Sequence, residues 1–224
     1  MKIPFRTNKV VPDIGLFTDK DALLFKQGSH VRLYEKLGAH PLTHDGTEGT
    51  FFAVWAPNAR SVTVIGEFNK WNKKSHPLKQ RTDGTGIWEG FIPGIGQGAL
   101  YKFHIVSRHN RYATDRGDPF ARSGEQPPGT SSIVWDLAYT WGDNEWMKTR
   151  HEANSLQSAM TVYEVHLGSW RRAGEGTGTR FLTYRELAEE LPDYLIEMGF
   201  THVEFLPVME HPFYGSWGYQ TLGY

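Results

Sequence analysis

The chain contains no cysteine. That excludes disulfides and thiolate metal sites, and it is compatible with a reducing compartment. It has no excess charge of one sign either: 24 Lys and Arg stand against 25 Asp and Glu, a net charge of -1. A surface so balanced offers no electrostatic footprint for nucleic acid or for an anionic membrane. The N-terminus, MKIPFRTNKVVPDIG, lacks the apolar core of a signal peptide or a membrane span. A cytoplasmic protein is therefore expected. The GEGTG run at Gly174–Gly178 lacks the G-K-[ST] ending of a phosphate loop, and no G-x-S-x-G nucleophile elbow occurs. No metal or cofactor is expected.

What the chain does have is aromatic residues, 14% of the total, with 8 Trp. Such a surplus fills cores, but Trp and Tyr also stack on sugar rings. A length of 224 residues allows one or two domains. Residues 1–38 read as an arm with short helices. Thr18 and Asp21 resemble a capping box, and Gly28 would end that helix. Another turn or two is expected within Ser29–Leu37, stopped by Gly38. From about Gly49 the pattern turns to period two. Phe52, Val54 and Ala56 alternate with Phe51, Ala53 and Trp55. SVTVIG (61–66), GIWEGFIP (86–93) and LYKFHIVS (100–107) follow, separated by turn clusters. Arg111–Ala113 and Ser131–Trp135 would supply closing strands. Short strands at this spacing predict an antiparallel, immunoglobulin-like β-sandwich over 39–137, without a long helix. Trp55 and Trp88 are expected to be mostly core or inter-domain packing residues.

Residues 138–158 read as a connector pinned to a neighbouring domain by Trp141 and Trp146. The pattern then changes to β-α-β over 159–224. MTVYEVHLGSW is the first strand and Thr201–Pro207 the second. Between them Thr183 and Glu186 form a capping box, and Tyr184, Leu187, Ala188, Leu191, Tyr194, Leu195 and Met198 trace one helical face. Pro192 predicts a break near Leu191, because a proline lacks the donor that an unbroken helix needs. The strand then opens into an aromatic, glycine-rich loop, HPFYGSWGYQTLGY, of the kind that carries sites at the strand ends of an α/β barrel. No further barrel strands follow, so the chain reads as the front part of a larger protein.

Three stretches together, MTVYEVHLGSW, TYRELAEELPDYLIEMGFTHVEFLPV and MEHPFYGSWGYQ, resemble the opening of the catalytic barrel of 1,4-α-glucan (glycogen) branching enzymes. FFAVWAPNARSVTVIGEFNKWN and GALYKFHI resemble their N-terminal carbohydrate-binding module of family 48, and YEKLGAHP also fits. The resemblance covers about residues 31–224. It implies a sandwich followed by the first β-α-β unit of an incomplete (β/α)8 barrel. It implies cleavage of an α-1,4 glucan and transfer to a 6-hydroxyl, with no cofactor. The family's three catalytic carboxylates lie on later strands, so none is carried over and the chain alone should be inactive. The implied partners are α-1,4-glucan or glycogen and the missing C-terminal barrel portion. Related debranching and trehalose-releasing enzymes usually carry Asp where Gln220 stands. A stand-alone glucan-binding module and a protein-interaction sandwich remain open as alternatives.

The resemblance places Tyr219 against the sugar beside the cleaved bond, with Gln220 and Trp217 as further contacts. In the sandwich it points to Trp71 and Lys102. The second Trp of such sites is missing, since RHNRYATD offers only Arg111 or Tyr112, so weak binding is expected. A retaining glycosyl transfer needs paired carboxylates roughly 5–5.5 Å apart. Glu164 and Glu204 lie mid-strand, on the faces of His166 and His202, and are expected to form a buried structural network. Glu210 and Glu175 lie nearer the barrel mouth, without matched partners.

Overall fold

A computed structural model describes residues 9–12, 14–110, 112–174 and 178–222. The described residues divide into two compact units, one up to residue 137 and the other over 138–222.

The first unit begins with an arm tied to the sandwich through a bridge between Val11 and Phe91. Helix α1 (Asp19–Lys26) follows. The Thr18 side chain accepts from the Asp21 amide, and the Asp21 carboxylate accepts from the Thr18 amide. Within the stretch 29–37 only a single 3-10 turn forms, Leu33–Glu35. Among the described residues nine strands then run β1 (Gly38–His44), β2 (Thr47–Trp55), β3 (Ala59–Gly66), β4 (Lys79–Gln80), β5 (Ile87–Pro93), β6 (Leu100–Ser107), β7 (Ala113–Arg116), β8 (Ser123–Gly124) and β9 (Ser132–Ile133). They form two antiparallel sheets, β1-β2-β5-β4 and β3-β6-β9-β8, with β7 also paired to β6. The only described helix between Gly49 and Trp135 is a 3-10 turn, Glu67–Asn69.

Phe52, Val54, Val62, Val64, Trp88, Ile92, Tyr101 and Phe103 fill the space between the sheets. Phe51, Ala53, Ile87 and Phe91 point the other way, and with Phe17, Ala22 and Leu37 make a second core beneath α1. The first sheet is thus covered on both faces, which is why FFAV (51–54) is apolar at every position. Trp88 donates its indole N–H to the Ala56 carbonyl from inside the core. Of the two kinds of packing expected for Trp55, core packing does not occur. Trp55 is 55% exposed, with its N–H on the Thr85 carbonyl and its ring edge against Phe25. Strand β1 lies within a stretch that sequence reasoning left unassigned; it is an edge strand, where Pro41 is tolerated.

The second unit holds helix α2 (Asn144–Ala153), strand β10 (Val162–Val165), a short helix α3 (Leu167–Trp170), a small hairpin of β11 (Arg172–Ala173) and β12 (Arg180–Phe181), helix α4 (Tyr184–Glu197) and strand β13 (His202–Phe205). Strands β10 and β13 pair in parallel, with Glu164 opposite Glu204, and α4 is the crossover between them. Leu187 and Leu191 of α4 are buried, and Tyr163 packs edge-on against Tyr194. Helix α4 runs unbroken through Pro192, contrary to the predicted break. Pro192 and Ala188 both lie on the exposed side, so solvent can reach the carbonyl that proline leaves without a donor. Residues 138–158 contain helix α2, and Trp141 and Trp146 are 70% and 52% exposed. Trp141 packs against Tyr139 alone among the described rings. Among the described residues no helix is long and apolar enough to cross a membrane.

Candidate functional site: a groove at Trp71 and Lys102

The residues after β3, EFNKWN, form a tight turn that fixes Trp71. Gly66 opens it: a Cβ there would come within 2.2 Å of the Leu100 carbonyl oxygen, so only glycine fits. Lys70 and Trp71 are both left-handed, at φ 54° and 58°. Each such residue costs about 1–2 kcal/mol. Asn69 holds the conformation. Buried in the turn, it accepts from the Gly66 and Asn72 amides through Oδ1, at 3.0 and 3.2 Å. Its Nδ2 donates to the Val64 carbonyl and meets His76 Nδ1, at 2.9 and 2.8 Å. The Trp71 amide closes the turn on the Gly66 carbonyl at 2.8 Å. Backbone strain held by a satisfied buried side chain is a feature of positions with a task.

Trp71 and Lys102 do come together. With Ile65, Lys73, Asp115, Glu125 and the 128–131 loop they line an open groove of about 410 Å³. Lys102 stands on β6, opposite Ile65 of β3. Its ammonium donates to Thr130 Oγ1 at 2.6 Å. The 125–131 loop is closed on itself. The Glu125 amide donates to the Ser131 carbonyl, and Glu125 Oε2 accepts from the Ser131 amide at 3.0 Å. That bond holds the Glu125 carboxyl below its usual pKa. Asp115, on β7, has its Oδ1 2.6 Å from His104 Nδ1 and its Oδ2 3.1 Å from Lys73 Nζ. Burial alone would raise the Asp115 pKa; the bonds to His104 and Lys73 outweigh it and the pKa falls. Neither Tyr112 nor any other aromatic besides Trp71 lines the groove among the described residues, and Arg111 lies outside them. Sequence reasoning missed Lys73, Asp115, Glu125 and Thr130. They reach the groove by strand pairing and loop closure, which leave no local pattern.

In the second unit the predicted site residues do not converge on a cleft. A hollow of about 280 Å³ is lined by His166, Phe181, Tyr184, His211 and Tyr214 among others, without Trp217, Tyr219 or Gln220. Trp217 stacks on His166 at 4.7 Å and 26° from a left-handed backbone. Tyr219 is 66% exposed and Gln220 is exposed too. Gly218 is required here: its φ is +86°, and a Cβ would lie 2.4 Å from the Pro207 carbonyl oxygen. Glu164 and Glu204 are exposed instead of buried, because no described segment packs over their face of the β10–β13 pair. Glu210 is exposed as well, and Glu175 lies outside the described residues. No group of three or more His, Asp or Glu among the described residues is placed to hold a metal ion. His40 and His44 stand four apart, but on a strand four residues span about 13 Å, too far to share one.

Residues 36–121 match the family of carbohydrate-binding module 48, the isoamylase N-terminal domain. The chain is 57% identical over 210 residues to the 1,4-alpha-glucan branching enzyme GlgB of Aquifex aeolicus, covering 94% of this chain and 33% of that protein. It is 53% identical to the protein of the same name from Albidiferax ferrireducens, covering 92% and 32%. The chain thus spans about a third of the length of these relatives. A crystal structure of apo pullulanase from Klebsiella pneumoniae shares the fold, at TM-score 0.56 and 22% identity, over 78% of this chain and 20% of that one. So does GBS pullulanase SAP in complex with maltotetraose, at TM-score 0.56 and 23% identity, over 80% and 24%. Over residues 36–121 the sandwich is thus similar to carbohydrate-binding module 48, and the chain is similar to about a third of the proteins named 1,4-alpha-glucan branching enzyme.

Proposed function

We propose that the groove binds an α-1,4-glucan, and that the chain serves a branching enzyme that cleaves such a glucan and transfers the segment to a 6-hydroxyl. The observation that carries this reading is the meeting of Trp71 and Lys102, distant in sequence, in one open groove. The Trp71 ring offers an apolar face to a glucose ring. Lys102 and Thr130 offer hydrogen-bonding groups to its hydroxyls. A single aromatic wall makes binding weak. In this reading β10, α4 and β13 are the first unit of a (β/α)8 barrel that the C-terminal portion of the enzyme completes. Residues 1–38 are then the arm, 39–137 the module, 138–158 the connector and 159–224 the barrel's beginning. Tyr219, Gln220 and Trp217 are contacts for sugar at the barrel mouth, and their exposure leaves them available. The enzyme works in the cytoplasm without a cofactor. No residue of this chain is assigned a catalytic role in this reading, which expects the acid and nucleophile pair on later barrel strands.

Titration of maltoheptaose into the 224-residue chain tests the binding claim. Weak saturable binding is expected, and Trp71→Ala should abolish it. Equal binding by the two proteins, or none by either, would remove this site.

A further inference from the structure

Lys73 and Asp115 are the groove residues that the Trp71–Lys102 reading leaves without a role. Strand β6 runs between β3 on one side and β7 with β9 on the other. Lys73 belongs to the turn that follows β3, and Asp115 to β7. Their ion pair, 3.1 Å long, therefore passes over β6 and ties the Trp71-bearing turn to the far side of the groove. Asp115 is itself fixed. It sits directly opposite His104 in the β6–β7 register, and its other oxygen is 2.6 Å from His104 Nδ1. The Lys73 side chain is still 54% exposed. An ammonium has three donors, and Asp115 uses one, which leaves two for a ligand in the groove.

We propose that Lys73 is a second ammonium contact for the glucan, and that Asp115 is the residue that positions it. This rests on the sugar reading of the groove and adds a polar contact to its single aromatic wall. An unanchored lysine would lose side-chain entropy on binding; one already held by Asp115 has lost most of it. Asp115 does not touch sugar in this account. It acts through Lys73.

The test is a double-mutant cycle with maltoheptaose as the probe. Lys73→Ala should weaken binding about tenfold, the scale of one hydrogen bond from a charged donor. Asp115→Asn should weaken it several-fold, and the double variant should bind no worse than Lys73→Ala, because both changes remove the same contact. Melting temperature serves as the control, and Lys73→Ala should leave it unchanged. Parental affinity in Lys73→Ala, alongside lost binding in Trp71→Ala, would overturn the proposal and leave the groove reading standing. Additive losses in the double variant would overturn the positioning role of Asp115. Parental binding by Trp71→Ala would bring down the groove reading and this proposal with it.

Discussion

Asn69→Ala should separate the folding of the Trp71 turn from the chemistry of its indole. The substitution removes four hydrogen bonds, two accepted and two donated. The Gly66 amide is buried and loses its acceptor, whereas the His76 ring keeps its contact with Ser75 Oγ. A typical bond contributes about 0.5–1.5 kcal/mol, and a stranded buried group costs about 1–3 kcal/mol. The two left-handed residues then lose the contact that offsets about 1–2 kcal/mol each, so the turn relaxes. The net loss should be about 3 kcal/mol, since relaxation of the turn recovers part of the gross cost. For a unit of this size that lowers the melting temperature by roughly 10 °C. Differential scanning calorimetry with and without maltoheptaose measures both effects. Asn69→Ala should melt early and bind no glucan, whereas Trp71→Ala should lose binding and keep its melting temperature. An Asn69→Ala protein that melts with the parent and binds like it would refute the argument that Asn69 holds this turn.

Three further outcomes follow from particular residues. Burial pushes the Asp118 carboxyl from 3.8 up to about 6, despite its bonds from the Tyr101 hydroxyl and the Phe120 amide. Between those pH values the folded protein keeps a proton that the unfolded chain has lost. Stability should therefore fall by up to about 3 kcal/mol as pH rises from 4 to 6. Asp83, held down to about 2, acts in the opposite sense only below that window. Burial also raises the pKa of Glu89, which adds to the fall, and lowers that of His40, which opposes it. Urea unfolding at pH 4.5 and 7.5 should show the fall reduced in Asp118→Asn, and an undiminished difference would rule Asp118 out as a source. Pro192→Ala should stabilise α4 by about 1–3 kcal/mol, because it restores a helical donor at an exposed site. Slower amide exchange along α4 would show it, and unchanged exchange would contradict it. An assay for new α-1,6 linkages on amylose with purified 1–224 should read at blank. Linkages that disappear on Glu210→Gln would move catalysis into this chain.

Strands with strong β composition were legible at once. Leu100–Ser107 forms a strand over the range its pattern gave, and the β-branched run at 61–66 lies within β3. Strand β1 was not legible, because GAHPLTH has a proline and two histidines where an inner strand would have valines. Its edge position explains why that composition suffices. Helix α2 escaped notice for a related reason. It buries no residue, so its sequence has no apolar face to betray a period. Pro192 misled because the rule against internal prolines concerns a lost bond, and at an exposed position solvent replaces it. In the groove, Trp71 and Lys102 were singled out through family resemblance alone. Lys73, Asp115, Glu125 and Thr130 become visible only when β6 is flanked by its neighbours, for nothing local links a turn after β3 to a residue on β7.

The central claim is that an α-glucan lies on Trp71. A crystal structure of the chain soaked or grown with maltoheptaose tests it directly. A glucose ring should stack on the Trp71 indole, with its hydroxyls within hydrogen-bonding reach of Lys102 and Thr130. Sugar found only elsewhere on the chain, with the Trp71 face bare in a crystal where the groove is open to solvent, would contradict it.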